Sequence, residues 1–428
     1  MIPSENLVPG VASWFSTVCR ECPAGCGVIA RNRDGRVVKL EGNPDHPVNG
    51  GSLCIRGQSA LQGLYNPARI QSPLQRDAAG SQKPLKWEDA EKLLAEKLAS
   101  LVRGGRGSRI ALVSQLESGS LGRLMDDWTK ALGARRVTYE PFGYESIRAA
   151  SRIAFGRDAI PYYAFEEASV VLSFGADFLE TWLSPVGYAS AFARMHAFAH
   201  GKAGNFIHVE PRLSMTAANA DEWVRNAPGT EGLLALAVLR VLLDERLEAA
   251  GVDAQALRAR VKSVEIEAVA RQSGVPVETV KRIAHAFAKA RPSLAVGGGA
   301  AVSGENATET QVAIHLLNYA AGNLGRTVRF GPDSAFGKVN RYAEMLSLTR
   351  AMAGGEIDVL LLGHVNPLFS MPAGANFAEA LQKVPLVVSF GNQPDETTSK
   401  AHLVLPDQAP LESWGDYSPR EGVYGLMK

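Results

Sequence analysis

The chain has 428 residues, more than one hydrophobic core usually organises, so we expect several domains. Its hydrophobic content of 46%, charged content of 21% and net charge of +1 are those of a soluble globular protein. This charge offers no field that would attract nucleic acid, and no apolar run reaches the roughly 18 residues of a membrane span. The opening residues MIPSEN carry no signal-peptide pattern. We therefore expect neither a nucleic-acid partner nor a direct membrane span.

The four cysteines are Cys19, Cys22, Cys26 and Cys54, spaced C-x2-C-x3-C-x27-C. Disulfides are typical of short secreted domains, and a zinc site usually pairs two short cysteine knuckles. Unliganded buried thiols are a further alternative. A tight loop with three thiolates and a distant fourth is typical of a [4Fe-4S] cluster, which we favour.

The residues around the cysteines also suit such a cluster. The prolines and glycines of CRECPAGCG allow a tight turn, and the small Ala24 lets backbone amides approach sulfur. Further on, Asp34-Gly35 lies between alternating apolar residues, a pattern that predicts a hairpin. That hairpin would carry the chain out and back before GGSLCIRGQ supplies Cys54.

Beyond the cysteines, helical stretches alternate with short apolar strands. The segment WEDAEKLLAEKLASLV, from Trp87, has helical spacing. The strand-like segments are 109–114, 168–177, 204–212, 292–300, 357–367 and 384–392. This alternation predicts parallel α/β sheets with sites at the carboxyl ends of strands. Gly297-Gly298-Gly299 is not a GxGxxG fingerprint, so we do not predict NAD from it.

Three segments carry a resemblance to a known family: CRECPAGCG, DGRVVKLEGNPDHPVNGGSLCIRGQ and LYNPARIQSPLQR. They resemble the N-terminal iron-sulfur domain of the molybdopterin oxidoreductase superfamily, which includes formate dehydrogenases, nitrate reductases and polysulfide reductases. The resemblance implies that the four cysteines hold one [4Fe-4S] cluster. It also implies that Arg56, two residues after Cys54, is an electron relay between this cluster and a pterin. The alternative for Arg56 is an ordinary surface charge.

The segment HVEPRLSMTAANADEWVRNAPGTEGLLALA resembles the part of that superfamily that cradles a pterin guanine dinucleotide. By position, the candidate pterin-binding residues are Glu210, Arg212, Ser214, Thr216, Asp221, Gly229, Thr230 and Glu231. Residues of these types also cap helices after strands, so capping and ligand binding both stay open. HVNPLFSMP and PDETTSKAHLVLPDQAPLESWG resemble two later loops of the central domains.

The resemblance implies an α/β fold class, with a small N-terminal iron-sulfur domain followed by two doubly wound parallel-sheet domains, one inserted in the other. We expect the [4Fe-4S] domain at 1–75. The split α/β domain is expected at 76–145 and 329–428, and the inserted α/β domain at 146–328.

The chain departs from the superfamily pattern near PFGYESIRAASRIAFG, where a Cys, selenocysteine, Ser or Asp usually coordinates molybdenum or tungsten. No cysteine stands there, and Ser146, the candidate molybdenum ligand, reads as part of a helix. TVRFGPDSAFG stands where glycines usually approach the pterin. These departures argue against bound molybdopterin guanine dinucleotide, whereas the cradle segment argues for it.

Four segments point to one branch of the superfamily: PGVASWFSTVCRECPAGCG, GNLGRTVRF, HVNPLFSMP and LESWGDYSPREGVYGLM. They resemble the large iron-sulfur subunit of alternative complex III, a quinol-oxidising membrane assembly. This implies an electron-transfer subunit at the periplasmic face of the bacterial inner membrane. Its implied partners are a ferredoxin-like iron-sulfur region, membrane quinol-oxidising subunits and cytochromes. The alternatives are a catalytic molybdopterin oxidoreductase fragment with a Mo/W-bis-MGD centre, and a zinc-stabilised binding module without a redox role.

The histidines give no independent sign of a catalytic acid or base. His46, His196, His200 and His364 have no cysteine or carboxylate at metal-ligand spacing in the sequence, so we expect structural roles for them. His364, at a strand end in LLGHVNP, is the one best placed for a site.

Overall fold

The structure is a computed structural model that describes residues 8–198, 203–299 and 302–428. Its first layer is an antiparallel sheet of Ala12–Val18 (β1), Gly27–Arg33 (β2) and Arg36–Gly42 (β3), in that order. Asp34 and Gly35 join β2 to β3 with φ of 54° and 78°, the left-handed conformations of a tight hairpin turn, which confirms the predicted hairpin. Helix Ile55–Leu64 (α1) packs against β3.

The largest sheet has seven strands. They are Leu74–Arg76 (β4), Gln82–Pro84 (β5), Ile110–Ser114 (β6), Arg135–Thr138 (β7), Val359–Gly363 (β14), Leu386–Ser389 (β15) and Leu403–Val404 (β16). The order is β5-β4-β16-β15-β14-β6-β7, parallel from β16 to β7 and antiparallel at β4 and β5. Every residue of β6 and β14 is buried, as expected for parallel strands covered on both faces.

Helices cover both faces of this sheet. One face packs against Trp87–Arg103 (α2) and Ser120–Leu132 (α3). The other packs against Tyr342–Ala353 (α12), Pro367–Ser370 (α13) and Phe377–Leu381 (α14). Alternate residues of β6 and β14 therefore enter two separate apolar cores.

A second sheet is wholly parallel. Its strands are Val170–Phe174 (β9), Asn205–Val209 (β10), Glu222–Val224 (β11) and Ser293–Gly297 (β12), in the order β11-β10-β9-β12. One face is covered by Glu231–Asp244 (α7), Ala254–Arg260 (α8), Ile266–Ser273 (α9), Val277–Lys289 (α10) and Ala307–Ala320 (α11). The other face packs against Pro185–His196 (α5) and a set of aromatic side chains. Glu145–Phe155 (α4) lies against α11, and Met215–Ala218 (α6) follows β10.

Two short strand pairs complete the fold. Tyr162–Tyr163 (β8) pairs with Val328–Arg329 (β13), so TVRFGPD forms part of a strand pair. Gly415–Arg420 (β17) and Val423–Met427 (β18) form an antiparallel hairpin, and β18 packs beside β1. The last strands of the chain thus lie next to its first ones.

The structure confirms the α/β fold class. The predicted helix and the six predicted strands are confirmed as α2, β6, β9, β10, β12, β14 and β15. The antiparallel edge strands β4 and β5 differ from the expected wholly parallel sheet, because three-residue strands leave no periodic signal. The boundaries at 1–75, 76–145, 146–328 and 329–428 stay a prediction. None of the described helices combines the length and apolar character that crossing a membrane requires.

The core of the larger sheet gives a first testable prediction. Leu361 in β14 is 1% exposed, whereas Leu124 on α3 is 64% exposed. We expect Leu361→Ala to lower the free energy of unfolding by about 2–5 kcal/mol, because it removes buried apolar contacts and leaves a cavity. The matched Leu124→Ala change is expected to stay within about 0.5 kcal/mol of the parent. Denaturant unfolding followed by circular dichroism measures both, and equal effects would contradict this assignment of the core.

Candidate functional site

The four cysteines meet where the first sheet joins α1. Cys19 directly follows β1, Cys26 directly precedes β2, and Cys54 is the residue before α1. The Cys19 N–H donates to the Cys26 carbonyl at 2.8 Å and closes the loop between them. All four cysteines belong to one apolar cluster that includes Val186 of α5. The structure therefore brings together residues separated by up to 35 positions in the sequence.

Asn49 joins the two cysteine-bearing loops. Its side chain is fully buried and forms hydrogen bonds with both polar backbone groups of Gly27, accepting from the N–H at 2.8 Å and donating to the carbonyl at 2.9 Å. It also donates to the Ser52 carbonyl at 2.7 Å. One amide thus fixes the residue after Cys26 to the segment that leads into Cys54.

The C-terminal hairpin holds the outer side of the cysteine loop. Gly25 has φ of 58°, and a Cβ atom there would lie 2.6 Å from ring carbons of Tyr417. The Tyr417 hydroxyl donates to the Pro23 carbonyl at 3.0 Å. Glycine is therefore required at 25 both by backbone conformation and by the approach of Tyr417.

The environment of the thiols suits an iron-sulfur cluster. Burial raises the pKa of Cys19 to about 12 and also raises that of Cys26, and neighbouring cysteines add to both shifts. Backbone N–H groups of Glu21 and Ala24 donate to Cys19 and Cys22 and act in the opposite direction. Thiols so placed ionise readily only beside added positive charge, which bound iron supplies.

A single zinc ion is the alternative occupant of the four cysteines. Across 8–198, 203–299 and 302–428, no three His, Cys, Asp or Glu side chains are placed to hold one metal ion. Zinc needs its ligands to converge on one point, whereas a cube binds each thiolate to a different iron. The contacts of the four cysteines do not by themselves choose between the two, and the choice of the cube stays a prediction.

Arg56 lies in the first turn of α1, and its side chain is exposed. Its positive charge opposes the increase that burial causes in the pKa of Cys22, and it does the same for Glu21. It also acts on Tyr144, whose pKa burial raises to about 12. Arg56 is thus near the cysteines and Tyr144, while its relay role stays a prediction.

The candidate pterin-binding residues begin at the carboxyl end of β10. Glu210 is buried and lies 3.2 Å from His208 Nε2, and Arg212 lies 3.4 Å from Glu210 and 3.8 Å from Asp177. Burial raises the pKa of Glu210, but contacts with His208, Ser214 and Arg212 outweigh it and lower the pKa. The guanidinium of Arg212 therefore already lies between two carboxylates.

The remaining candidates are bonded within the protein as well. Thr216 Oγ1 donates to Asp177 at 2.6 Å, and Ser214 caps α6 by accepting from Ala217 N at 3.0 Å. Asp221 accepts from Phe206 N at 2.7 Å and lies 3.0 Å from His196.

The last three candidates flank the start of α7. Thr230 donates to the Ala227 carbonyl at 2.6 Å, and buried Glu231 accepts from Asn226 at 2.9 Å. Gly229 has φ of 79° and is exposed. These contacts lie within the turn before α7, where the Thr230 side chain does not cap the helix, and the role of the three residues in pterin binding stays a prediction.

Two buried donors lie close together at the end of β12. A Cβ atom on Gly298 would lie 2.9 Å from Trp182 Nε1 and 3.4 Å from Gln311 Nε2. Within the part of the chain that the structure describes, neither nitrogen has a hydrogen-bond partner. Buried donors usually have partners, so this strand end can receive a polar group.

A cavity of about 610 Å³ opens at the carboxyl edge of the larger sheet. Its wall includes Cys19, Glu117, His364, Asn392 and Trp414. Carboxyl ends of parallel strands are where ligands of α/β proteins bind, so this cavity is a second candidate site.

Ser146 lies within α4, as predicted. It borders a separate cavity together with Glu145, Arg148, Arg152 and Arg341. Its role as a metal ligand stays a prediction.

The histidines differ in part from the sequence expectation. His364 forms an ion pair with Asp407, and His196 lies 3.0 Å from Asp221, so both have carboxylate partners that are distant in sequence. Burial lowers the pKa of His364, but Asp407 outweighs this effect and raises it. His46 accepts from Gly27 N at 3.2 Å. His200 lies outside the described residues.

Sequence reasoning missed Asn49, Asp177, Tyr417 and Arg20. Asn49 and Asp177 each carried a weak signal, because one stands beside two glycines and the other is the last residue of a predicted strand segment. Arg20 lies between two cysteines, yet nothing local indicates that it is buried. Tyr417 is separated from the loop by nearly the whole chain, and no local pattern could have found it.

Comparison with known proteins gives two matching family profiles. The molybdopterin oxidoreductase Fe4S4 domain matches residues 12–66, and the molybdopterin oxidoreductase domain matches residues 69–427. The chain is 18% identical to acetylene hydratase from Pelobacter acetylenicus, with a TM-score of 0.79 over 96% of this chain and 66% of that one. This likeness concerns the fold.

Two curated relatives match nearly the whole chain. The menaquinone reductase molybdopterin-binding-like subunit of Nitratidesulfovibrio vulgaris is 30% identical over 435 residues, which cover 98% of this chain and 62% of that protein. The molybdopterin-containing subunit of arsenate respiratory reductase from Shewanella sp. strain ANA-3 is 24% identical over 495 residues, covering 97% and 57%. The chain thus spans about three fifths of the length of these relatives.

The Asn49 junction gives the second prediction. Asn49→Ala removes hydrogen bonds to the N–H and carbonyl of Gly27 and to the Ser52 carbonyl, at a cost of about 0.5–1.5 kcal/mol each. Gly27 keeps its bonds to His46 Nδ1 and Asn43 N, so neither of its groups is left without a partner. We expect a lower free energy of unfolding and faster loss of iron and sulfide during anaerobic dialysis. Asn219→Ala is the control, because Asn219 is exposed and donates only to the Met215 carbonyl. If both variants retained iron and sulfide equally, Asn49 would not be what joins the loops.

Proposed function

Because the chain belongs to the molybdopterin oxidoreductase family and contains its Fe4S4 domain, we propose that it is an electron-transfer subunit of a respiratory complex of the alternative complex III type. The observation that carries the proposal is the meeting of four thiols from two loops in one apolar cluster. A bound [4Fe-4S] cluster exchanges electrons one at a time. Cys19, Cys22, Cys26 and Cys54 would hold it.

The protein around the cysteines orients the thiols and limits access of water. Leu53 and Val48 pack against the cysteines from the second loop, and Val186 packs from α5. Asn49 and Tyr417 hold the backbone on either side. An apolar, hydrogen-bonded surround of this kind tunes a redox centre through its dielectric and its N–H···S contacts.

The structure offers less support for a metal centre on Ser146. The thiols are all gathered at the cluster site, and Ser146 borders the cavity with Arg148, Arg152 and Arg341. Glu145 and Asp158 line the same cavity, and Arg148 and Arg341 both pair with Asp158, so the lining charge is nearly balanced. What disfavours a metal centre there is that the thiols lie elsewhere. We therefore propose that partners carry out the substrate chemistry.

An electron carrier needs a donor and an acceptor. The two curated relatives are named as subunits of a menaquinone reductase and an arsenate respiratory reductase. We propose that this chain exchanges electrons with a ferredoxin-like iron-sulfur region, membrane quinol-oxidising subunits and cytochromes, at the periplasmic face of the inner membrane.

A catalytic molybdopterin oxidoreductase is the second candidate. The unpartnered Trp182 and Gln311 nitrogens favour it, and so does the cavity at the carboxyl edge of the larger sheet. Both can receive polar parts of a dinucleotide. When bound, such a group supplies two-electron chemistry. Arg212, Thr216 and Trp182 are the residues that would contact it.

The third prediction concerns metal content. Anaerobically purified protein is expected to contain about four iron and about four acid-labile sulfide per chain, with neither molybdenum nor tungsten. Cys54→Ala is expected to lose most of both, because one iron loses its ligand. Elemental analysis and a sulfide assay measure this. Stoichiometric molybdenum or tungsten would establish the second candidate instead, and zinc without sulfide would exclude both redox functions.

Arg56 gives the fourth prediction. Its exposed cation favours the reduced cluster, which carries one more negative charge, so Arg56→Gln is expected to lower the midpoint potential. The decrease should shrink as salt is raised, because exposed charges are screened. Redox titration followed by electron paramagnetic resonance measures both effects. Arg31→Gln, an exposed change on β2, is the control. An Arg56→Gln potential equal to that of the control would make Arg56 an ordinary surface charge.

A further inference from the structure

Arg20 places a buried cation directly beside the cluster loop. It stands between Cys19 and Glu21, and its side chain is 6% exposed. Its Nη2 donates to Glu117 Oε2 at 2.8 Å and to the Leu116 carbonyl at 3.2 Å. The guanidinium also lies 3.7 Å from the centre of the Tyr417 ring. The charge is therefore held in one position by three different contacts.

Two carboxylates, those of Glu117 and Glu140, bond to Arg20 or to the backbone of Leu116 beside it. Glu117 is 11% exposed, and its Oε1 accepts from Gln115 Nε2 at 2.9 Å. Glu140, just beyond β7, accepts from Leu116 N at 2.7 Å. The backbone of Leu116 therefore contacts Arg20 through its carbonyl and Glu140 through its N–H. The three charged side chains form one group, which we call the charge triad: Arg20, Glu117 and Glu140.

Electrostatic effects connect the triad to the cysteines. Burial raises the pKa of Glu140, and the negative charge of Glu117 adds to this increase. The hydrogen bond from the Leu116 N–H and the positive charge of Arg20 oppose it. Arg20 directly follows Cys19 in the chain, and Cys19, Arg20 and Glu117 line the same cavity. Fixed charges this close to the cysteines act on any negative charge added to a cluster bound there.

We propose that the charge triad sets the reduction potential of the cluster, with Arg20 raising it and the two carboxylates lowering it. The inference rests on the proposed function, because it requires a [4Fe-4S] cluster on the four cysteines. In the step concerned, the oxidised cluster accepts one electron from a partner redox centre and becomes more negative by one charge. No bond forms or breaks. A nearby cation stabilises the reduced state, and a nearby anion stabilises the oxidised state.

Burial distinguishes the triad from Arg56. Charges within a protein interact more strongly and are screened less by salt than charges on its surface. Arg20 and Glu117 are almost fully enclosed, whereas Arg56 is exposed. The influence of the triad should therefore persist at high salt, where that of Arg56 fades.

The experiment measures midpoint potentials of the cluster-loaded chain at pH 8, in low and high salt, by redox titration with electron paramagnetic resonance. Arg20→Gln is expected to lower the potential, and Glu117→Gln and Glu140→Gln are each expected to raise it. Arg20→Lys keeps the charge and should stay nearest the parent. The double variant R20Q/E117Q should lie between R20Q and E117Q. A merely structural role would not produce shifts of opposite sign.

The control is Arg109→Gln. Arg109 is also paired with a shielded carboxylate, Asp358, at 2.8 Å, but the pair lies at the opposite edge of the larger sheet, before β6 and β14. Shifts of the same sign for R20Q and E140Q, or shifts no larger than that of R109Q, would overturn the proposal. If R20Q does not fold, an unchanged potential in E140Q overturns it. Parent protein without iron and sulfide would refute the proposed function itself, and the inference with it.

Discussion

The hydrogen bonds of Asn49 to Gly27 and Ser52 hold the two cysteine-bearing loops at a fixed separation, and the other features of the site depend on that junction. A cluster with one thiolate on each iron tolerates little movement between its ligands. Three cysteines come from one tight loop, but Cys54 arrives after a hairpin and a second loop. The buried side-chain amide of Asn49, with its three hydrogen bonds, fixes the position of the segment that leads into Cys54.

The Asn49 junction keeps the two loops in place only if the protein around them is itself held in place. The loop is enclosed by the β17–β18 hairpin through Tyr417 and by α5 through Val186. Arg20 connects it further to the loop after β6. The loop of three cysteines is therefore held by elements that pack on both later sheets, which fixes its position relative to the strand ends.

Local patterns predicted the strands, the hairpin and the loop that carries three of the cysteines, because each depends on residues close together in sequence. The strands of the parallel sheets are continuous apolar segments, and Asp34-Gly35 specifies its own turn. The contacts that complete the site join residues that are far apart in sequence. Tyr417 reaches Gly25 across 392 positions. Glu140 and Arg20 both bond to Leu116, which Glu140 reaches only because β6 and β7 are neighbours. No periodicity records such contacts, since they follow from the packing of elements whose order in space differs from their order in sequence.

The residues at the ends of β10 and β12 differ in the contacts that they offer to a polar ligand. Arg212 is the cation nearest to the end of β10, and Glu210 and Asp177 already neutralise it. The Arg212 guanidinium would attract an anionic phosphate placed there, and the two carboxylates would repel it, so the net electrostatic attraction is small. Trp182 and Gln311 lack this cost, because neither buried N–H group has a partner among the described residues and a ligand would supply one. The ends of β10 and β12 thus differ in how they would meet an anionic ligand, and the paired arginine supports the proposed electron carrier.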